Sequence, residues 1–335
     1  MPSDMDQTDR KLLNIIQSSF PMSEQPFDEI GEEMSIPAQE VLDRIADAKE
    51  KNVVRQISAI FDTRKLGYKT VLVAMRLPPD LLDSGARIIN EHPGVSHNYA
   101  RNGPFNLWFT LAVPPYESLE DTIEGMSKRA GAESYRLMPT IRFFKIGVNF
   151  DMVKNEGAAD DYYSPDGFDK NGGQDFKRVA PVSEFEVRAI RELQEDLPLV
   201  PRPFAPMAES LGISQRDLFD LAADLQQRGI MRRFSAVLHH RRAGFKANAM
   251  AVWNVPQDRS VEVGNIMAQS KWVTHCYERP TFDDWHYSHF TMIHATSDEK
   301  CVEVAGEISE ATKIDDYMLL YSTREYKKTR VRYFV

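Results

Sequence analysis

Val95-Ser-His97-Asn-Tyr99-Ala-Arg101 returns 178 positions later as Val273-Thr-His275-Cys-Tyr277-Glu-Arg279. At an offset of 177 the earlier parts of the chain match as well: Gln17 with Gln194, Pro26-Phe27 with Pro203-Phe204, Ile36 with Ile213, Arg55 with Arg232 and Pro79 with Pro256. A repeat of this span means two homologous modules in one chain, each the pseudo-symmetric partner of the other. The stretch 151–182, rich in Gly and Asp and without apolar periodicity, reads as a flexible linker between them. Within the first module Leu12, Leu13, Ile15 and Ile16 form a helical stripe. Two further helices come next, over Phe27 to Met34 and around Val41, Leu42, Ile45 and Ala48, separated by Ser35-Ile36-Pro37. The second module repeats this with a Leu211-Gly212-Ile213-Ser214 break and Ser214/Asp217 at capping-box spacing. Three short helices with such a turn predict a winged helix-turn-helix. Beyond it Val71, Val73, Met75 and Leu77 alternate with period two. A helix over 80–90, strands over 94–101 and 105–113, a helix over 118–129 and a strand over 134–148 come after them. That order predicts a ferredoxin-like βαββαβ sandwich, so the fold class is α+β. The expected boundaries are helix-turn-helix 1–55, α+β domain 56–150, linker 151–182, helix-turn-helix 183–233 and α+β domain 234–335.

Composition narrows the function classes. The 335 residues suffice for more than one core, and no apolar run approaches the length of a membrane span. The first residues carry acids where a signal peptide needs a basic start, and two cysteines, Cys276 and Cys301, make no disulfide scaffold. Both features point to a reducing cytoplasm. The net charge of −9 gives no general attraction to a polyanion, so an anionic ligand needs a local basic patch. HExxH, CxxC, GxGxxG and P-loop motifs are all missing, which leaves no visible place for zinc, iron–sulfur or nucleotide cofactors.

A helix-turn-helix followed by this α+β domain resembles the Lrp/AsnC transcription regulators. Their third helix meets phosphates with cations. Here Ser35 to Lys51 carries Arg44, Lys49 and Lys51 against Glu40, Asp43, Asp47 and Glu50, and Ser214 to Gly229 has two arginines against three aspartates. Each sums to −1, so the helical units are expected to pack modules together and to bind no nucleic acid. Gly94 to Pro114 (GVSHNYARNGPFNLWFTLAVP), its partner Trp272 to Ala295 and the tail Ser322 to Phe334 (STREYKKTRVRYF) resemble the two subunits of the sirohaem (siroheme) decarboxylases, Lrp/AsnC-like enzymes. The resemblance implies both subunits in one chain. It implies removal of the acetate carboxyls at carbons 12 and 18 of sirohaem, giving didecarboxysirohaem for haem biosynthesis, without an added cofactor because the substrate carries its own iron. The alternatives are a DNA-binding regulator or a haem-sensing protein. The two modules are expected to form an internal pseudo-dimer.

Sirohaem bears eight carboxylates, and the residues offer two basic stretches for them. Arg232 to Lys246 holds Arg232, Arg233, His239, His240, Arg241, Arg242 and Lys246 without an acid, and Arg324 to Arg332 holds Arg324, Lys327, Lys328, Arg330 and Arg332 against Glu325 alone. A charge run is ordinarily a solvated face, but two on one module of an acidic chain suggest an anion site. Strand periodicity places Val95, His97, Tyr99 and Arg101 on one face, likewise Val273, His275, Tyr277 and Arg279, and puts His286, Ser288, Phe290, Met292 and His294 together on the next strand. Six of the eight histidines lie in the second module, and His294 has no twin in the first. We therefore expect His294, with His275 as second candidate, to supply an acid titrating near neutrality. Arg233, His239, Tyr277, Arg279, Lys328, Arg330 and Arg332 are expected to hold substrate, with His97, Tyr99 and Arg101 as first-module counterparts. Alternation would set Arg330 and Arg332 on one strand face. His239 and His240 are either ligands of the substrate iron or loop residues. Trp108, Trp253, Trp272 and Trp285 are core, interface or stacking groups. Cys276 reads as a small buried residue.

Overall fold

The computed structural model describes residues 5–146, 149–151, 156–158, 179–238 and 247–335. The first helical unit is α1 (Gln7–Ser18), α2 (Pro26–Met34) and α3 (Ala38–Glu50). Asp6 starts α1 by accepting the Asp9 amide at 2.7 Å, and the helix buries Leu12, Leu13 and Ile16. Strand β1 (Val54–Phe61) comes after α3. The second unit is α6 (Glu184–Leu193), α7 (Ala205–Leu211) and α8 (Gln215–Gln227), then β9 (Met231–Leu238). Gly212 closes α7 in the left-handed region, and Ser214 and Asp217 form the expected capping box.

The two units are a single body. β1 and β9 pair antiparallel with each other, and both helical units pack onto this ribbon in one shared core. Phe20, Phe27, Phe204 and Phe234 interlock at its centre, Phe204 and Phe234 with ring centroids 5.3 Å apart. The domain boundaries expected at 55/56 and 233/234 fall inside β1 and β9. Four of the five cations counted on these helices pair within the protein: Arg44 bridges Asp6, Asp9 and Glu40, Lys49 reaches Asp196, Lys51 pairs with Asp47, and Arg228 holds Glu186 and Asp224.

The remaining elements make two α+β sandwiches joined edge to edge. The first has β2 (Lys69–Arg76), α4 (Leu82–Asn90), β3 (Val95–Arg101), β4 (Leu107–Val113), α5 (Leu119–Ala130) and β5 (Ser134–Met138), in sheet order β5-β2-β4-β3. Next along the chain are β6 (Arg142–Ile146), β7 (Asn149–Asp151) and β8 (Glu156–Ala158). The second has β10 (Ala247–Trp253), α9 (Ser260–Gln269), β11 (Val273–Glu278), β12 (His289–Ala295), α10 (Asp298–Thr312) and β13 (Tyr317–Lys328), in order β13-β10-β12-β11. The far half of β13 pairs with β3, and β6 pairs with β11, so nine strands form one continuous sheet. Each module thus covers the exposed edge of the other. The single strand expected over 134–148 is divided into β5 and β6 by Pro139, which has no amide hydrogen for a ladder. The sheets face each other through Phe105, Trp108, Met138, Val252, Trp285, Phe290 and Leu320, with Trp108 and Trp285 5.4 Å apart. Among the described residues no helix is long and apolar enough to cross a membrane.

Docking of β6 depends on a glycine. Phe144 is stacked on His289 with ring centroids 5.5 Å apart and lies against Gly264 of α9. A Cβ at Gly264 would stand 2.3 Å from the ring of this buried phenylalanine. Gly264→Ala is expected to destabilise the chain by about 1–3 kcal/mol, the range for overpacking a filled core, read as a lower urea midpoint. An unchanged midpoint would contradict this packing.

Candidate active site

The duplicated motif lies on β3 and β11, and each copy has a bulge at the same point, between Val95 and His97 and between Val273 and His275. A bulge adds one residue to one strand and reverses the in–out phase of the residues beyond it. Val95 and Val273 therefore face the helices and are fully buried in their own module cores, with Asn98 and Cys276. This corrects the expectation that the valines share a face with the histidines. The His/Tyr/Arg rows themselves hold together: His97 and Tyr99 have centroids 6.3 Å apart, His275 and Tyr277 5.9 Å, and each arginine guanidinium lies over the ring of the tyrosine in its row. The bulge residue also binds its neighbour's ring, Ser96 Oγ to His97 Nδ1 at 3.0 Å and Thr274 Oγ1 to His275 Nδ1 at 2.9 Å.

Arg101 and Arg279 are equivalent in a further respect. Arg101 donates to the Leu320 carbonyl at 2.8 Å and Arg279 to the Met138 carbonyl, so each ties its row to the last strand of a module. Burial lowers both guanidinium pKa values to about 10, and the Nε of each has no hydrogen-bond partner. Burial likewise raises the Tyr277 phenol and the Cys276 thiol, leaving the latter an inert core group.

The second module brings cations to the first. Beyond Lys328 the chain leaves the sheet, and the Thr329 amide donates to the Ser96 carbonyl at 2.6 Å, on the bulge itself. Arg330 turns inward to Ser58 Oγ at 3.1 Å and the Ala59 carbonyl at 3.3 Å. Arg332 turns outward to a surface pair with Glu195 and is 58% exposed. Because no strand continues past Lys328, alternation does not apply. The expected shared face of Arg330 and Arg332 is wrong, and Arg332 stands apart from the site. The tail is then clamped by Tyr333, whose hydroxyl meets Thr63 Oγ1 at 2.7 Å while its amide meets Gln194.

Around Arg330 gather Arg55, which donates to the Lys328 carbonyl, and Arg233 on β9. Burial, reinforced by these neighbours, lowers Arg330 to about 10, and burial lowers Arg55. No carboxylate among the described residues forms a salt bridge with Arg55, Arg233 or Arg330; Arg232, by contrast, is neutralised by Asp62 at 2.7 Å. Lys328 lies opposite His97 in the β13–β3 ladder, and its charge acts on both His97 and His294. Burial first, and Lys328 second, lower each imidazole to about 4. His294 was expected to titrate near neutrality; in this environment it is neutral at pH 7.

His294 and His275 meet through Thr274, whose Oγ1 lies 3.0 Å from His294 Nδ1. In the first module the register sets Ala112 where His294 stands. His286, expected on the His294 face, precedes β12 and pairs with Asp316 at the surface, whereas His289 is buried against the Ser260 carbonyl. Arg324 is drawn off to Asp83, and Lys327 Nζ caps α4 at the Asn90 carbonyl. His239, His240, Arg241, Arg242 and Lys246 lie outside the described residues. Arg55 and Thr274 were not singled out from sequence. Arg55 was visible in the repeat as the partner of Arg232, but only the fold shows that it faces the tail.

Known proteins share this domain order and fold. A model of the siroheme decarboxylase NirDL-like helix-turn-helix domain matches residues 9–55 and 186–232, and one of the AsnC-like ligand-binding domain matches 65–145 and 242–327. A siroheme decarboxylase of Hydrogenobacter thermophilus is 41% identical over 97% of this chain and 94% of its own. The siroheme decarboxylase beta subunit of Methanosarcina barkeri is 49% identical over 45% of this chain and 99% of its own. The chain belongs to the siroheme decarboxylase family. A crystal structure of the siroheme decarboxylase NirDL, in co-complex with an iron-uroporphyrin III analogue, superposes with a TM-score of 0.75 at 35% identity, covering 98% of this chain and 95% of that one. Relative to the separate subunits, this family member carries both modules in one polypeptide.

The depressed histidines make stability depend on pH. Unfolded imidazoles titrate near 6.5 and His97 and His294 near 4, so the unfolded chain binds more protons between those values. Stability contributed by the neutral rings is present above about pH 6.5 and is lost as pH falls toward 4. The urea midpoint of the His97→Gln, His294→Gln double variant is expected to decline less over this window than that of the unaltered chain. Parallel declines would show that the two rings are not held neutral.

Proposed function

We propose that the chain decarboxylates sirohaem, taking the acetate carboxyls at carbons 12 and 18 and giving didecarboxysirohaem. The observation that carries the reading is the cluster of Arg55, Arg233 and Arg330, none of which forms a salt bridge with a described carboxylate, together with Lys328, whose charge acts on His97 and His294, in a chain of net charge −9. Partly desolvated cations favour an anionic ligand, and a macrocycle with eight carboxylates supplies several anions from one rigid frame. The relatives support the same substrate.

The cations serve best on carboxylates that stay. A salt bridge to the departing group would stabilise the ground state more than the transition state, where its charge has drained away. On this reading the bond between methylene and carboxylate breaks heterolytically and carbon dioxide leaves. The electron pair delocalises into the conjugated macrocycle, and a proton from His294 Nε2 converts the methylene to a methyl group. The imidazole regains its proton from water before the second acetate reacts. The macrocycle is its own electron sink, so the reaction is that of a carboxy-lyase that needs no pyridoxal phosphate or thiamine.

The lowered His294 pKa fits this cycle once substrate is present. Bound carboxylates offset Lys328, the cause second to burial, and so shift the ring toward the imidazolium from which the proton is given. His275 lies one hydroxyl away as the second ring of the site. Tyr277 and Arg279 form the wall of the same row, and His97, Tyr99 and Arg101 form its counterpart.

Anaerobic incubation with sirohaem and no added cofactor, followed by mass analysis, is expected to show loss of two carbon dioxide molecules. An intact macrocycle with only a shifted absorption spectrum would overturn the assignment in favour of a binding protein. His294→Gln is expected to lower kcat by about 10²–10⁴, the range for losing a general acid, while sirohaem affinity persists. His97→Gln, with Ala112 across from its serine, should cost less; equal losses would indicate two equivalent sites.

A further inference from the structure

The two modules meet through contacts of two kinds. The first kind is repeated. Lys327 of β13 reaches the end of α4, donating to the Asn90 and His92 carbonyls at 2.9 and 3.4 Å, and Lys145 of β6 donates to the Ser270 carbonyl at the end of α9 at 2.9 Å. Each cation meets the negative end of a helix of the other module. Arg101 and Arg279 also donate to carbonyls at equivalent places, Leu320 on β13 and Met138 on β5. Because both modules own these groups, a pair of like modules would keep them.

The second kind is not repeated, and it lies in the loops after β3 and β11, residues 102–106 and the longer 280–288. Asn102 pairs with the backbone of β13: its Nδ2 donates to the Leu319 carbonyl at 3.1 Å, and its Oδ1 accepts from the Tyr321 amide at 2.6 Å. Pro280 takes the place of Asn102 in the second loop, which uses a charge instead. Asp284 accepts from Nε and Nη2 of Arg136 on β5 at 2.9 and 2.8 Å, a two-pronged contact with fixed geometry. The registers of β5 on β2 and of β13 on β10 make Leu137 the counterpart of Leu319, Pro139 of Tyr321 and Arg136 of Met318. Two first modules would therefore offer Asn102 no amide at Pro139, and would leave Arg136 facing a loop without an acid. Two second modules would set Pro280 against the Tyr321 amide and Asp284 against Met318.

We propose that Asn102 and the Arg136–Asp284 pair are the specificity determinants of module assembly: the surface that each module presents fits the unlike module and disfavours a second copy of itself. The shared contacts hold any pair together, and the unshared ones choose between pairs, through bonds gained in one and polar groups left without partners in the others. Only the unlike pair sets β13 beside β3, with Lys328 opposite His97. Selection of this kind does not depend on the reaction that the chain performs.

The choice is read in the full chain carrying a protease site within residues 159–178 and cut under native conditions, so that two pieces of different mass can exchange partners. Native mass spectrometry of the cut, otherwise unaltered protein is expected to show the mixed pair in large excess. Asp284→Asn should raise the share of like pairs about two- to five-fold, the range for one partly exposed ion pair. Met318→Arg, which gives the second module both the acid and the cation, should bring in pairs of the second piece while the mixed pair persists. Arg136→Asp combined with Asp284→Arg should return the distribution to that of the unaltered protein. In the uncut chain the same ion pair should show in the urea midpoint: Arg136→Gln and Asp284→Asn each lower it, and the double variant lowers it little further. A random mixture of pairs in the unaltered protein, shares that Asp284→Asn and Met318→Arg leave unchanged, or additive losses of midpoint would overturn the proposal.

Discussion

β13 is hydrogen-bonded to β10 along Tyr317–Tyr321 and to β3 along Ser322–Lys328, so one strand belongs to both modules. The ladder is the constraint on which the site depends. It fixes Lys328 opposite His97, delivers Thr329 to the Ser96 bulge, and sends Arg330 back toward β1 and β9. Without that crossing, the basic tail of one module would not meet the histidine row of the other. The reciprocal pairing of β6 with β11 closes the second edge. It places Ile146 opposite His275, where the first crossing places Lys328 opposite His97. The modules are alike in fold and unlike in what their last strands carry.

That inequality explains how an acidic chain can hold a polyanion. Its surface cations are largely spent on neighbouring acids, as Arg44, Arg228, Arg324 and Arg332 show. Arg330 and Arg55 are instead partly withdrawn from water, and neither forms a salt bridge with a described carboxylate. Keeping like charges together in a partly desolvated place costs stability, and the shared helical core with its ribbon supplies the rigid frame that holds them. On this account the helix-turn-helix units, which in regulators face DNA, serve as the clamp that seats the tail.

Much of this was legible in the sequence because repetition and periodicity are long-range signals. The 177- to 178-residue repeat gave two modules, the break at Gly212 and Ser214 gave the turn, and alternation gave the strands. Three of the errors share one cause, a local departure from periodicity. The bulges moved Val95 and Val273 to the opposite face, Pro139 divided a strand, and the tail left the sheet at Lys328, separating Arg330 from Arg332. Arg55 was visible only as a repeat match, because its role depends on where β13 ends. The His294 pKa was misjudged because burial and Lys328 are tertiary facts.

The most direct test of the composite site is a sirohaem titration across charge-neutralised variants at fixed ionic strength. If β13 assembles the anion site as described, Arg55→Gln and Arg330→Gln each weaken binding by about 1.5–3 kcal/mol, the range for a hydrogen bond to a charged group. Arg332→Gln, two residues from Arg330 in sequence but paired with Glu195 at the surface, keeps its affinity. Equal affinities in all three variants, or a larger loss in Arg332→Gln than in Arg330→Gln, would contradict the account.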